Sequence, residues 1–252
     1  MTSLADLTLA RVRALHEDLV SRAKGLTDDQ LAAASGATEW PIAQVLSHLG
    51  SQAEIALAGL PATLSGGEAP GQDFNEAVWA RWNALDNRAK AAGFVEHSSA
   101  LIAAIEAVPD RDERTVKLAF LPFPLSFAAV MGMRLNEYAL HHWDVVQGLD
   151  GNARIDDETA ALMAQHLADG LSFMLGFIGK ADQLAEPTVL RADSLVLTID
   201  QAVSVTPDAT PTATLHAPLE AGIRLLNGRL REDVAVEGNV TLSDLRKVFP
   251  GY

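Results

Sequence analysis

Apolar residues recur at helical spacing through most of the chain. Leu4, Leu7, Val12, Leu15 and Leu19 mark the face of a first helix that Gly25 ends, with Ser3 placed to cap it and Asp6 in its first turn. Thr27-Asp28-Asp29-Gln30 has the form of a capping box for a short helix through Ala34. Trp40-Pro41 then opens a helix with proline at its first position, running to about Leu60, with Ile42, Val45, Leu46, Leu49 and Ile55 on its buried side. After the Gly- and Pro-rich stretch Ser65 to Gly71, a long helical pattern spans about Asp73 to Val108, and Gly93 is the expected point of bending. Its aromatics Phe74, Trp79, Trp82 and Phe94 are expected in a core or an interface. Pro109, Pro122 and Pro124 make the next connection irregular, with Leu118, Phe120, Leu121 and Phe123 packed beneath it. Ser126 caps a further long helix from Phe127 to about Gly148, and a fifth runs from Asp156 to Ile178 after the turn Asp150-Gly151-Asn152.

The pattern changes near Pro187. Leu195 to Ile199, Val203 to Val205, Ala213 to His216 and Val234 to Val236 are short, β-branched runs bounded by turn residues, as strands are. Leu219 to Leu226 and Leu242 to Val248 keep helical spacing. The expected fold is therefore mainly α plus α+β: a helical bundle over residues 1–182, then a small α+β domain over 183–252.

Composition narrows the function classes. The net charge of -14 leaves no basic stripe to neutralise phosphates, so neither nucleic acid nor an anionic membrane is expected as a partner. No apolar run reaches the length of a membrane span, and Met1 to Asp6 lacks the basic and apolar segments of a secretion signal, so a cytoplasmic location is expected. There is no cysteine, which excludes disulfides, thiolate metal sites and a cysteine nucleophile. Any thiol chemistry needs a thiol brought by a ligand.

The candidate chemistry lies in Asn136-Glu137-Tyr138-Ala139-Leu140-His141-His142-Trp143-Asp144. At about 100° per residue, Glu137 and His141 stand roughly one turn apart on one helix face. His142, about 140° around from Glu137, does not share that face. A Glu–His pair at this spacing can be a simple surface interaction, and a lone histidine such as His48 on an apolar face is ordinarily a hydrogen-bonded core residue. Taken together, though, two histidines and one carboxylate on neighbouring helices are how bundles build metal sites, and they leave coordination positions open as catalytic zinc does. Asp144, three residues after His141, is placed to orient it or simply to face solvent. His16, His97, His166 and His216 are read as structural. The same ligand set also suits Fe(II).

The segments Trp40 to Leu49 and Glu137 to Val145 resemble the mycothiol-dependent maleylpyruvate isomerase family, and the resemblance covers nearly the whole chain. It implies a DinB-like four-helix bundle holding a divalent metal, usually zinc, followed by a small domain related to sterol carrier proteins, which Ile223 to Arg229 and Val234 to Asn239 match. The family's metal ligands fall on His48, Glu137 and His141. Its glutamate separates it from DinB-like proteins that use three histidines. Arg229 best matches an arginine near the substrate, with Arg224 and Arg231 close by. The resemblance further implies mycothiol as cofactor or co-substrate and a small electrophile as partner. In an isomerase of this kind the thiol adds to a cis double bond, the resulting single bond rotates, and elimination leaves the trans product. In a transferase the thiol stays on the acceptor. A non-catalytic protein binding a metal or an apolar ligand is the alternative.

Overall fold

The computed structural model describes residues 2–118 and 121–251, so the expected packing of Phe120 lies outside the described residues. Contacts divide the chain into two compact units, Met1–Ala153 and Arg154–Tyr252. That division falls before the expected one at 182/183. Its cause is helix packing: the helix Asp157–Ala168 lies against Leu219–Leu226, within the strand-bearing unit.

The first unit contains α1 (Leu4–Gly25), α2 (Asp28–Ala32), α3 (Ile42–Ser65), α4 (Gln72–Asn83), α5 (Asn87–Glu106), the paired two-residue strands β1 (Thr115–Val116) and β2 (Leu125–Ser126), and α6 (Phe127–Asp150). The long helices α1, α3, α5 and α6 form a four-helix bundle, with α1 and α3 each packed on both α5 and α6. Caps act where side chains are placed for them. Ser3 accepts from Asp6 N, Thr27 and Gln30 form a reciprocal box, and Ser126 accepts from Ala129 N. One core cluster joins Ala5 and Leu9 of α1, Ala53 of α3, Leu101 and Ile105 of α5, and Phe127 and Met131 of α6.

Three boundaries depart from the sequence expectation. Pro41 is the extended residue before α3 rather than its first turn, and α3 passes through Pro61 to end at Gly66, whose φ is 74°. Ala56, Leu57 and Leu64 on either side of Pro61 pack on the core cluster. That burial outweighs the single backbone bond a proline forfeits. The long pattern from Asp73 is two helices, broken at residues 84–86 where Asp86 caps α5 through Ala89 N. Gly93 is not the break. A Cβ there would lie 2.8 Å from Trp82 Cη2, so its smallness makes room for the indole. Trp82 and Phe94 are buried, whereas Phe74 and Trp79 are exposed.

The second unit contains α7 (Asp157–Ala168), α8 (Leu175–Ile178), β3 (Thr188–Ala192), β4 (Leu195–Ile199), β5 (Val203–Val205), β6 (Ala213–Leu215), α9 (Leu219–Leu226), β7 (Val236–Gly238) and α10 (Leu242–Val248). The fifth expected helix thus ends at Ala168, and Ser172–Met174 forms a 3-10 turn before α8. The sheet order is β5-β4-β3-β6-β7, antiparallel except for the β3–β6 pair. Strand β3, unexpected from sequence, is central, with Leu190 opposite Leu197 on one side and Ala213 on the other. Among the described residues no single helix is long and apolar enough to cross a membrane.

Candidate metal centre

His48 sits at the margin of the apolar face of α3, between buried Leu46 and Leu49. Glu137 and His141 are one turn apart on α6, whose stretch Tyr138 to His141 is buried. Packing of α3 on α6 brings the three together: one donor atom from each lies within 4.8 Å of the others. Glu137 Oε2 is 3.2 Å from His48 Nε2 and 3.7 Å from His141 Nε2. Ligand atoms about 2.0–2.1 Å from a tetrahedral ion would stand roughly 3.3 Å apart, so the donor set fits a zinc-sized cation with little movement.

The supporting groups fit as well. Asp144 is fully buried and accepts from His141 Nδ1 at 2.9 Å. A carboxylate only accepts, so Nδ1 carries the proton and Nε2 keeps its lone pair toward Glu137. Burial disfavours charge on Glu137, but its hydrogen bond with His48 and the electrostatic pull of His141, His48 and Arg134 outweigh it, holding the carboxyl at about 2. When His48 is neutral, Gln52 Nε2, 3.0 Å from His48 Nε2, donates to the ring lone pair. Arg134 Nη1 reaches Gln52 Oε1 at 3.4 Å and orients the amide that way. His48 Nε2 thus lies beside both that amide and a carboxylate oxygen 3.2 Å off, and a cation shared with Glu137 would take the ring lone pair in place of the amide.

Trp40 covers the centre. Its ring lies 5.1 Å from that of His48 and is stacked at 23° on His141, 6.1 Å away. The loop that presents it is tied to α6 by Gly36 N, which donates to Asp144 O at 2.7 Å, and closed on itself by Ser35, whose N and Oγ both donate to Trp40 O, at 3.1 and 2.7 Å. Gly36 and Gly148 both permit this approach, since a Cβ at Gly36 would lie 2.6 Å from the Trp143 ring and one at Gly148 2.5 Å from Ala34 O.

The structure therefore brings together His48, Glu137 and His141, with Asp144 behind His141. It leaves His142 out: its Nε2 is 2.6 Å from Asp18 Oδ2 of α1. Arg229 belongs to the second unit, in the turn after α9, where it is buried and donates from Nη1 to Asn227 O at 2.9 Å. Arg224 is held between Glu220 and Glu232, at 2.7 Å from Glu220. A cavity of about 340 Å³ nearby is lined by Leu225, Leu230 and Phe249 together with Arg231 and Arg246. Sequence reasoning missed Trp40, Gln52 and Arg134 as parts of the centre. Gln52 four residues after His48 and Arg134 three before Glu137 obey the same face rule as the ligands and were legible by it.

Fold and site together define a helical bundle with a two-histidine, one-carboxylate cluster able to hold a metal ion, in a chain that also carries a small α+β unit. The family model described as "Mycothiol maleylpyruvate isomerase N-terminal domain" matches residues 12–146, and the chain belongs to that family. Among solved structures, the mycothiol-dependent maleylpyruvate isomerase and a histidine-to-alanine mutant of it are both similar, each with a TM-score of 0.68 and 15% identity over 96% of this chain and 98% of the other. A search of curated proteins finds no match.

Proposed function

We propose that this chain is a divalent-metal-dependent enzyme that uses a low-molecular-weight thiol, mycothiol by family, to isomerise or thiolate a small electrophile. The observation that carries the reading is the convergence of His48, Glu137 and His141 from α3 and α6, with Asp144 fixing the tautomer of His141. Zinc held there would supply Lewis acidity, lowering the pKa of a bound thiol so that thiolate is available at neutral pH. The remaining work falls to the chain. Glu137 stays ionised well below neutral pH and offers a permanent negative donor. Asp144, bonded to His141 Nδ1, orients the ring so that Nε2 faces Glu137. The Trp40 ring excludes water from the two imidazoles on its side. The absence of cysteine leaves no protein thiol to compete for the ion.

The family resemblance supports Arg229, in the second unit, as a further group for substrate charge. For the alternative of an apolar-ligand carrier, the two guanidinium groups beside the cavity of the second unit are unfavourable. Elemental analysis tests the reading directly. Purified, zinc-loaded protein should hold about one ion per chain, and His48→Ala and Glu137→Gln should each abolish it. Wild type and variants equally free of metal would end the proposal. Metal-loaded protein that forms neither adduct nor isomerised product with any thiol and acceptor pair would end its enzymatic half.

A further inference from the structure

We infer that Arg134 is the anion-recognition residue of the metal centre, binding a carboxylate of the electrophile; this rests on the proposed function. Arg134 is half-buried on α6, one turn before Glu137. Most arginines of the first unit pair with acids: Arg13 with Glu106, Arg22 with Asp18, Arg81 with Glu54, Arg88 with Asp28, and Arg111 with Asp6. Arg134 has no carboxylate within ion-pair distance among the described residues. Its hydrogen bond to Gln52 Oε1, at 3.4 Å, is long. Four of the five N–H donors of its guanidinium are thus left without a protein acceptor.

The placement is costly for a site meant only to hold a cation. Arg134 stands one turn before Glu137 on α6 and is linked to His48 through Gln52, so its positive charge repels a metal ion bound there. A fixed positive group beside a cation site becomes favourable when an anion joins the two. The planar fork of a guanidinium matches a carboxylate through two parallel N–H bonds, a geometry a single thiolate sulfur does not offer. Gln52 links this recognition to the ligands, because its amide bridges the guanidinium and His48 Nε2. A carboxylate taking the Arg134 donors would free that amide from its orienting bond.

The test uses zinc-loaded full-length protein, with maleate as the probe and the uncharged diamide of the same acid as control. Calorimetric binding is read beside metal content. Arg134→Gln should keep its zinc and lose about tenfold or more in maleate affinity. Arg134→Lys should recover part of the loss, and the diamide should bind wild type and variants alike. Arg134→Gln with full zinc and maleate affinity within twofold of wild type would overturn the assignment. Loss of zinc from both variants would overturn it too, making Arg134 a support of the metal centre. If N-acetylcysteine binding weakens instead of maleate binding, the residue serves the thiol and the inference is wrong. Zinc-loaded wild type that ignores maleate refutes Arg134's role while leaving the metal reading intact. Wild type that takes up no zinc refutes the metal reading, and the inference with it.

Discussion

Asp144 and Glu137 are both acids of α6, and their environments give them different work. Asp144 is sealed from solvent and spends an oxygen on His141 Nδ1–H. Asp144→Asn removes the ionised acceptor and allows the other tautomer of His141, so zinc affinity should fall by about 10–100-fold in a chelator competition. An unchanged affinity would mean that His141 is oriented by packing alone. Glu137 gives a pH signature. Its carboxyl is depressed from an ordinary 4.5 to about 2 in the folded chain. A depressed acid contributes stability that is fully present above its unfolded pKa and is lost as pH falls through its folded one. Denaturant midpoints of metal-free wild type should therefore drop more steeply between pH 4.5 and 2 than those of Glu137→Gln. Parallel curves would show that the carboxylate has no special stabilisation.

At the scale of elements, the centre depends on one loop lying against one helix. Gly36 sits with no room for a side chain between the Trp143 ring and the main chain of Asp144. Gly36→Ala must push the loop away, at a cost of about 1–3 kcal/mol of stability. It should also withdraw Trp40 from both imidazoles, so a change in tryptophan emission on zinc addition should shrink in the variant. A variant with wild-type stability and an unaltered zinc response would show that the loop is not the carrier of Trp40. This element also marks where sequence reading stops. Glu137 and His141 were legible because helical angle groups them on α6, His48 because it is the histidine on a neighbouring amphipathic helix, and the bundle followed from four long apolar patterns. Trp40 was not, because its placement runs through main-chain bonds of Ser35 and Gly36 that leave no side-chain pattern. Glycine misled in the opposite direction at Gly93, where a residue that reads as a helix breaker is instead a seat for Trp82. The true break, at residues 84–86, lacks glycine and proline and shows only the cap Asp86. The contact units divide earlier than the expected 182/183 because α7, which has the spacing of a bundle helix, packs on α9.

The whole molecule carries a charge of -14, and under the inferred role of Arg134 an acidic electrophile would have to approach against it. Two contributions compete, and they differ in range. The repulsion comes from many surface carboxylates and acts over long distances, so salt screens it: the Debye length falls from about 30 Å at 0.01 M to about 8 Å at 0.15 M. The attraction comes from the guanidinium and a bound cation at a half-buried site, at contact distance, where screening is much weaker. Adding salt should thus remove more repulsion than attraction. For a dicarboxylate substrate, kcat/KM should rise between 0.01 M and 0.15 M salt, the reverse of an electrostatically steered pair. A neutral electrophile of the same shape should show no such rise, which separates charge from salt effects on the fold. In Arg134→Gln the dicarboxylate should keep the rise from a lower starting value, since the surface charge is intact and only the local attraction is gone. A fall in kcat/KM with salt for the wild type would mean that the field at the entrance is positive despite the net charge, and that more cationic groups than Arg134 guide the substrate in.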